Sequence, residues 1–414
     1  MRLHSLYLCY FGLREPLVQT QVLPYLRQLA AGEAQISLLT FEPARENWSA
    51  EEVANAHARL AEQGIKWHWL AYHKRPSMMA TLYDVLAGAR LARRLIRREN
   101  VNVLHARAHI PMAMAMLAAT ASVRLIFDLR GLMAEEYRDA GVWKEGSLPF
   151  RVVKRIESAG LRRADQVVVL TRRLRDWLIN KGLATTERIE VIPCCVDWER
   201  FDAVGLEPEV STEPARFEVI YAGSLGGLYL VEEMGRFFKA IKERRPNAFL
   251  RLLSISPPEQ GANQLRQAGL NADDFWIGAV PAAEVPSYLR RASLGISFRK
   301  PTFAQIAASP TKIPEYLAAG LPVVSNAGIG DVDSLLESEG VGVIVRDFTA
   351  VEFTRAAEVA QALAEDPTVR AHCAAVAQLH FDLQSIGGKG YANVYRRIAN
   401  LNTQSTTQEA YNQS

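Results

Sequence analysis

The sequence predicts an α/β protein of two Rossmann-like, doubly wound domains facing each other across a cleft. Three observations predict it: short apolar or β-branched runs recur along the chain, helix-like stretches separate them, and the alternation breaks once near the middle and restarts. A single hydrophobic core stops growing beyond about 250–300 residues. This chain has 414 residues and so calls for two cores.

In the first half the strand-like runs are LHSLYLC, QISLLTF, IKWHWL, VNVLH, VRLIFD, QVVVLT and IEVIP. Between them lie TQVLPYLRQLA, TLYDVLAGARLARRLIRREN and PFRVVKRIESAGL, which read as helices covering a mostly parallel sheet. This gives an N-terminal domain over residues 1–200. The stretch DWERFDAVGLEPEVSTEPAR, from about Asp197 to Arg216, holds prolines and glutamates without apolar periodicity, and it predicts a linker at 201–216. The pattern restarts with FEVIYAGSLGG, AFLRLLSI, SLGISF, LPVVSN and VGVIV, spaced by helices such as VEEMGRFFKAIKER, for a C-terminal domain over 217–385. After Gly387 and Gly388, YANVYRRIANL predicts a last helix at about 388–402 that crosses back to the first domain. The polar tail at 403–414 is predicted to be disordered. Ligands of open sheets sit beyond the carboxyl ends of the strands, so two such domains suit an enzyme with two substrates.

Composition excludes several classes. Hydrophobic residues are 49% and charged residues 22% of the chain, as in an ordinary globular protein. With 48 basic and 45 acidic residues, the net charge of +3 does not point to nucleic acid. Cys9, Cys194, Cys195 and Cys373 form neither a disulfide framework nor a CxxC metal pair, which suits a reducing cytoplasm. The opening MRLHSLYLCYFGL is too short to span a bilayer, runs into Arg14 and Glu15 without a small-residue cleavage site, and reads as a buried strand.

The most informative segment is SFRKPTFAQIAASPTKIPEYLAAGLPVVSNAGIG, residues 297–330. Ser309 followed by Pro310 has the pattern of an N-cap with proline in the first turn, starting a helix that stops near Gly320. Ser309, Thr311 and Lys312 fall at its start, and the free amides of a helix N-terminus with Arg299, Lys300 and Lys312 around them would hold a diphosphate. Glu315, further along, could accept hydrogen bonds from ribose hydroxyls. The competing reading is a surface helix with solvated charges, which leaves their concentration at one cap unexplained.

Residues 309–330, SPTKIPEYLAAGLPVVSNAGIG, resemble the donor-site helix and following strand of the GT-B glycosyltransferases of family four. IPCCVDWERF is similar to that family's "IPNGVD..RF", and ADQVVVLTRRLRDWL resembles the strand and helix before it, so the resemblance runs over nearly the whole chain. It implies the GT-B fold, a nucleotide-sugar donor bound mainly by the second domain, and metal-independent transfer with retention, in which donor phosphate oxygens help deprotonate the acceptor. It also implies that Glu315 holds the donor ribose. Two departures stand out. The family pairs two glutamates eight positions apart, and here the first is Ala307. Its arginine and lysine after the first strand of the second domain are absent from GSLGGLYL, residues 223–230. Arg299, Lys300 and Lys312 are expected to supply that charge, while Gly223, Ser224, Gly226 and Gly227 let backbone approach the donor.

In the first domain the resemblance places Gly12 and Arg14, in the turn after strand one, beside donor diphosphate and acceptor. VLHARAHIP carries His105, Arg107 and His109 at a strand end, and family members have a histidine in this region that contacts the reacting sugar; His109 is the preferred match. FDLRGLMAEEY adds Asp128 and Arg130, a pair that either lines the cleft or ties two loops together. His109, Arg107, His105, Asp128 and Arg130 are the catalytic candidates, and neither a metal nor another cofactor is expected. Asp331 and Asp333 spell DxD but read as the start of a helix.

The predicted partners are a nucleotide sugar and a glycan or lipid-linked acceptor of cell-surface polysaccharide synthesis. A helix over Leu82–Arg98 is expected to bury Leu82, Val85, Leu86, Ala89, Ala92 and Ile96 and to expose Arg90, Arg94, Arg97 and Arg98. With Arg151, Lys154, Arg155, Arg162 and Arg163 it offers a basic surface to the inner face of a membrane. Two alternatives stay open: a nucleotide-sugar epimerase of the same build, and a non-catalytic partner of a transferase.

Overall fold

The computed structural model describes residues 3–32, 34–44, 48–75, 77–202 and 216–412, with side chains through 402. By packing, the chain forms two units, the first taking residues up to Arg138, Trp143–Pro193 and the segment from Leu383 on, the second Asp139–Val142 and Cys194–Asp382. Most of the linker expected at 201–216 lies outside the described residues; Glu199–Asp202 is a short helix.

The first unit is built on seven parallel strands, β1 (Leu3–Leu8), β2 (Ala34–Pro43), β3 (Ile65–Tyr72), β4 (Val103–Arg107), β5 (Arg124–Leu129), β6 (Gln166–Val169) and β7 (Ile189–Val191), in the order β3-β2-β1-β4-β5-β6-β7. The second carries six, β8 (Glu218–Ala222), β9 (Phe249–Leu253), β10 (Phe275–Gly278), β11 (Leu294–Ser297), β12 (Val323–Asn326) and β13 (Gly342–Val345), in the order β10-β9-β8-β11-β12-β13. Strands covered by helices on both faces are buried along their length rather than on alternate residues, and β1, β4, β6, β11 and β12 are buried at every position, mostly with apolar side chains. The strand that the apolar runs do not predict is β10, four residues at a sheet edge and only partly buried.

The last helix runs from Lys389 to Asn412, so helical backbone extends through most of the tail for which the sequence predicts disorder, and 413–414 lie outside the described residues. It belongs to the first unit. Gly390 permits this docking, since a Cβ there would stand 2.9 Å from Ile192. Tyr391, Val394, Tyr395 and Ile398 are its buried face.

The helix Ser77–Glu99 departs from expectation at its first half. Val85, Ala89 and Ala92 are buried, but Leu82 is 52% and Leu86 54% exposed, together with Met78, Met79 and Tyr83. Asp84 occupies the inward position instead, where it accepts hydrogen bonds from the Tyr10 hydroxyl at 2.7 Å and the His73 amide at 3.0 Å. No helix among the described residues is long and apolar enough to cross a membrane.

Candidate functional site

In the second unit the chain leaves the sheet centre in opposite directions from β8 and β11, so the switch point lies between these two strands. Beyond β8 comes Gly223, whose φ of +150° is outside the range of other residues and whose Cβ would meet the Lys312 side chain at 3.1 Å. The loop from there runs beside the exit of β11. Lys300 N donates to Leu228 O at 2.8 Å, Leu230 N donates to Phe298 O at 3.1 Å, and Tyr229 and Arg299 form an antiparallel bridge. Gly226 and Gly227, with φ of +120° and +66°, supply the turn.

Three side chains meet at this switch point. Lys312, first residue of the helix Lys312–Ala318, is 4% exposed, and its ammonium lies 3.9 Å from the centre of the Tyr229 ring. Arg299 donates from Nη1 to the Tyr229 hydroxyl at 3.0 Å and from Nε to Gln305 Oε1 at 2.7 Å. Burial pushes the Tyr229 phenol up, but Lys312 and Arg299 outweigh it and bring it down to about 8. Burial lowers the Lys312 ammonium below the usual lysine range, a shift that Tyr229 partly opposes. The buried Gln305 Nε2 and Ser297 Oγ have no hydrogen-bond partner among the described residues. Two cations around one phenol, with polar atoms left over, make an anion-binding arrangement.

The other donor-side candidates distribute around it. Ser224 O accepts from the Tyr221 hydroxyl at 2.7 Å. Lys300 is half-buried beside Arg299. Glu315 pairs with Arg200 at 3.0 Å, and Arg200 was not among the sequence candidates although it lies in the IPCCVDWERF motif. The expected cap needs correction: Ser309 does not cap the helix, because its Oγ accepts from the Cys194 amide at 3.1 Å and the helix begins at Lys312, after Thr311. What the geometry offers to an anion here is therefore side-chain cations more than a helix starting at Ser309. Ala307, where the family's other glutamate is missing, is fully buried in a 3₁₀ turn, Phe303–Ala307. Asp331 precedes the helix Val332–Glu339, and Asp333 accepts from the Gly328 amide at 2.8 Å. Among the described residues no group of three or more His, Cys, Asp or Glu could hold a metal ion.

In the first unit, Gly12 packs so closely on Pro43 that a Cβ would stand 2.8 Å from it, and Leu13 N donates to the buried Glu42 carboxylate at 2.9 Å. Arg14 pairs with Glu52 at 2.6 Å and lies over the Trp48 ring. The catalytic candidates of β4 and β5 converge on one carboxylate. Asp128, fully buried, accepts from Tyr391 at 2.9 Å and from Tyr7 at 3.4 Å, with Arg130 at 3.4 Å, Arg107 at 3.7 Å and His105 at 3.8 Å. Burial raises its carboxyl, but Arg130, His105 and Arg107 outweigh this and hold it well below the usual range. His105 is also fully buried; burial holds it below the usual histidine range, and its Nδ1 faces the Tyr395 hydroxyl at 3.1 Å. Of the two roles open for the Asp128 and Arg130 pair, the contacts favour the tie: the cluster joins β1, β4, β5 and the last helix.

His109 separates from this cluster. Its Nε2 faces Glu157 at 3.1 Å, Lys154 bonds Glu157 at 2.5 Å and Glu135 at 2.7 Å, and the buried His109 Nδ1 has no hydrogen-bond partner among the described residues. Burial raises the Glu157 carboxyl, yet His109 and Lys154 outweigh it and keep the group below its usual range. In the tautomer with its proton on Nε2, His109 donates to Glu157 and presents Nδ1 as an acceptor. Ala108, just before, has φ +68° and ψ −173°, a region essentially reserved for glycine. Ala108→Gly is expected to release this strain and raise stability by about 1 kcal/mol, read as a higher unfolding temperature.

Comparison with known proteins bears on both units. The sequence model of Glycosyltransferase Family 4 matches residues 18–200. A Bacillus subtilis (strain 168) protein, TuaH, described as a glycosyltransferase of teichuronic acid biosynthesis, is 29% identical over 178 residues, 42% of this chain and 43% of that one. The match thus spans less than half of that relative. A sucrose-phosphate synthase from Thermosynechococcus elongatus superposes with a TM-score of 0.69 at 15% identity, over 97% of this chain and 100% of the other. Anabaena HepE, in complex with UDP and glucose, gives 0.64 at 16% identity over 94% and 98%. The chain therefore has the GT-B fold, and its residues 18–200 are similar to Glycosyltransferase Family 4.

Proposed function

We propose that the protein transfers a sugar, with retention and without a metal, from a nucleotide-sugar donor to a glycan or lipid-linked acceptor of a cell-surface polysaccharide. The observation that carries this is the pair Lys312 and Arg299 at the β8/β11 switch point, converging without a carboxylate partner among the described residues. Such cations suit a diphosphate, both as a ground-state anchor and as stabilisation of the charge that develops on it when the glycosidic bond breaks. Glu315, held by Arg200, is the group for the ribose hydroxyls. In the first unit His109, with Nδ1 free as an acceptor and Nε2 oriented by Glu157, is the group offered to the reacting sugar. UDP is the nucleoside diphosphate of choice, on the likeness to HepE, and a polymer of the teichuronic acid kind the class of product, on the likeness to TuaH.

A thermal-shift panel of nucleoside diphosphates and nucleotide sugars tests this, since a ligand that binds only the folded state raises the unfolding temperature. The reading expects selective stabilisation by one nucleoside diphosphate, and release of that diphosphate from its sugar only when an acceptor is added. Interconversion of the donor sugar without acceptor would identify an epimerase, and binding with no turnover a non-catalytic partner.

The site of action proposed is the cytoplasmic face of a membrane, with the helix Ser77–Glu99 against the lipid. Its outer face is apolar over Met78, Met79, Leu82, Tyr83 and Leu86 and basic over Arg90, Arg94, Arg97 and Arg98. Apolar side chains inserted among headgroups and arginines at anionic phosphates reinforce one another. The protein is expected to sediment with vesicles containing anionic phospholipid and not with neutral ones. Leu82→Ser with Leu86→Ser should weaken that binding by about tenfold or more.

A further inference from the structure

Buried lysines are almost always paired with an anion, because an ammonium taken out of water loses its hydration. Lys312 breaks that rule. Among the described residues neither it nor Arg299 has a carboxylate partner, and the neighbouring Glu315 is engaged by Arg200. Both cations face Tyr229 instead: its hydroxyl accepts from Arg299 Nη1 at 3.0 Å, and its ring lies against the Lys312 ammonium, 3.9 Å from the ring centre. The backbone of Tyr229 is held to the exit of β11 on both sides, at Leu228 and Leu230, so displacement of the phenol asks only for a turn of its side chain.

Resting on the donor-site reading above, we propose that the Tyr229 phenol is an internal surrogate for a donor phosphate oxygen, holding Arg299 and Lys312 in place until the diphosphate displaces it. The geometry asks for an anion and the chain supplies the nearest thing it has to one. Lys312 and Arg299 make the phenol more acidic, and the other ionisable groups facing it, Tyr221 on β8 and Tyr316 on the helix Lys312–Ala318, are both driven upward by burial and stay protonated. Once displaced from the two cations, the phenol returns towards the ordinary tyrosine value of about 10 and takes up a proton. Tyr229 is thus a positioning residue and a competitor at once.

The test is calorimetric titration of UDP into the full chain and into Tyr229→Phe and Lys312→Ala at pH 7, with unfolding temperatures as the check on folding. The expected result is that Tyr229→Phe binds UDP about tenfold more tightly than the natural chain, the worth of a hydrogen bond between phenol and cation that no longer has to be broken. At pH 8, UDP should also reduce the phenolate absorbance of the natural chain and leave that of Tyr229→Phe unchanged. A folded Tyr229→Phe that binds UDP equally or more weakly overturns the surrogate while leaving the donor site standing, provided Lys312→Ala loses binding. If neither the natural chain nor Tyr229→Phe binds UDP, the donor-site reading fails and the surrogate fails with it.

Discussion

Lys312→Ala is expected to weaken nucleoside diphosphate binding about 100-fold, the worth of roughly 3 kcal/mol for truncating one partner of a desolvated charge pair. The same change should leave the unfolding temperature unchanged or raise it. Lys312 is buried without a carboxylate, so the folded state bears the desolvation of its ammonium, which Tyr229 offsets only in part. Loss of affinity without loss of stability separates a binding lysine from a structural one. Calorimetric titration for affinity and scanning calorimetry for stability read the two quantities independently.

Asp128→Asn should have the opposite signature, a large loss of stability in the first unit. The carboxylate is fully buried, accepts from Tyr391 and Tyr7, and is the counter-charge to Arg107 and Arg130. Removing it leaves guanidinium groups without compensation in the interior, which costs about 3–5 kcal/mol. The pH dependence has a definite sign. Asp128 has a folded value held below the unfolded carboxyl value of about 3.9, so its contribution is complete above that value and drains away as pH falls through the lower folded one. Scanning calorimetry at pH 7 should show the transition of the first unit moved down in Asp128→Asn, and the gap to the natural chain should narrow as the pH approaches the carboxylate range.

These two residues show how far the sequence carries the account. Lys312 is visible because a lysine beside Ser309, Pro310 and Glu315 has the spacing of a helix start, and that local pattern needs no tertiary information. The start itself moves to Lys312, since Ser309 is claimed by the Cys194 amide, 115 residues away. Asp128 is visible as a charged residue at a strand end, but its partner Tyr391 is 263 residues distant, and nothing local says that the last helix folds onto it. Tyr229 and Arg200 escape notice for the same reason: a tyrosine after glycines and an arginine in a strand-end motif acquire meaning only when Arg299, Lys312 and Glu315 are beside them. Leu82 and Leu86 fit a buried helical stripe by spacing, and Asp84 takes the inward place because Tyr10 and His73 supply its hydrogen bonds. Strands covered on both faces write themselves as continuous apolar runs, which is why the sheets are legible, while the short, half-exposed edge strand β10 leaves no such trace.

The central claim is that a nucleoside diphosphate binds at the switch point of the second unit. Amide hydrogen exchange with and without UDP tests it most directly, because protection reports where the ligand closes down backbone opening. The account predicts slowed exchange in residues 223–230, 297–300 and 311–316, with Lys312→Ala abolishing the effect at the same UDP concentration. Protection confined to the first unit, or protection that survives Lys312→Ala undiminished, would contradict it.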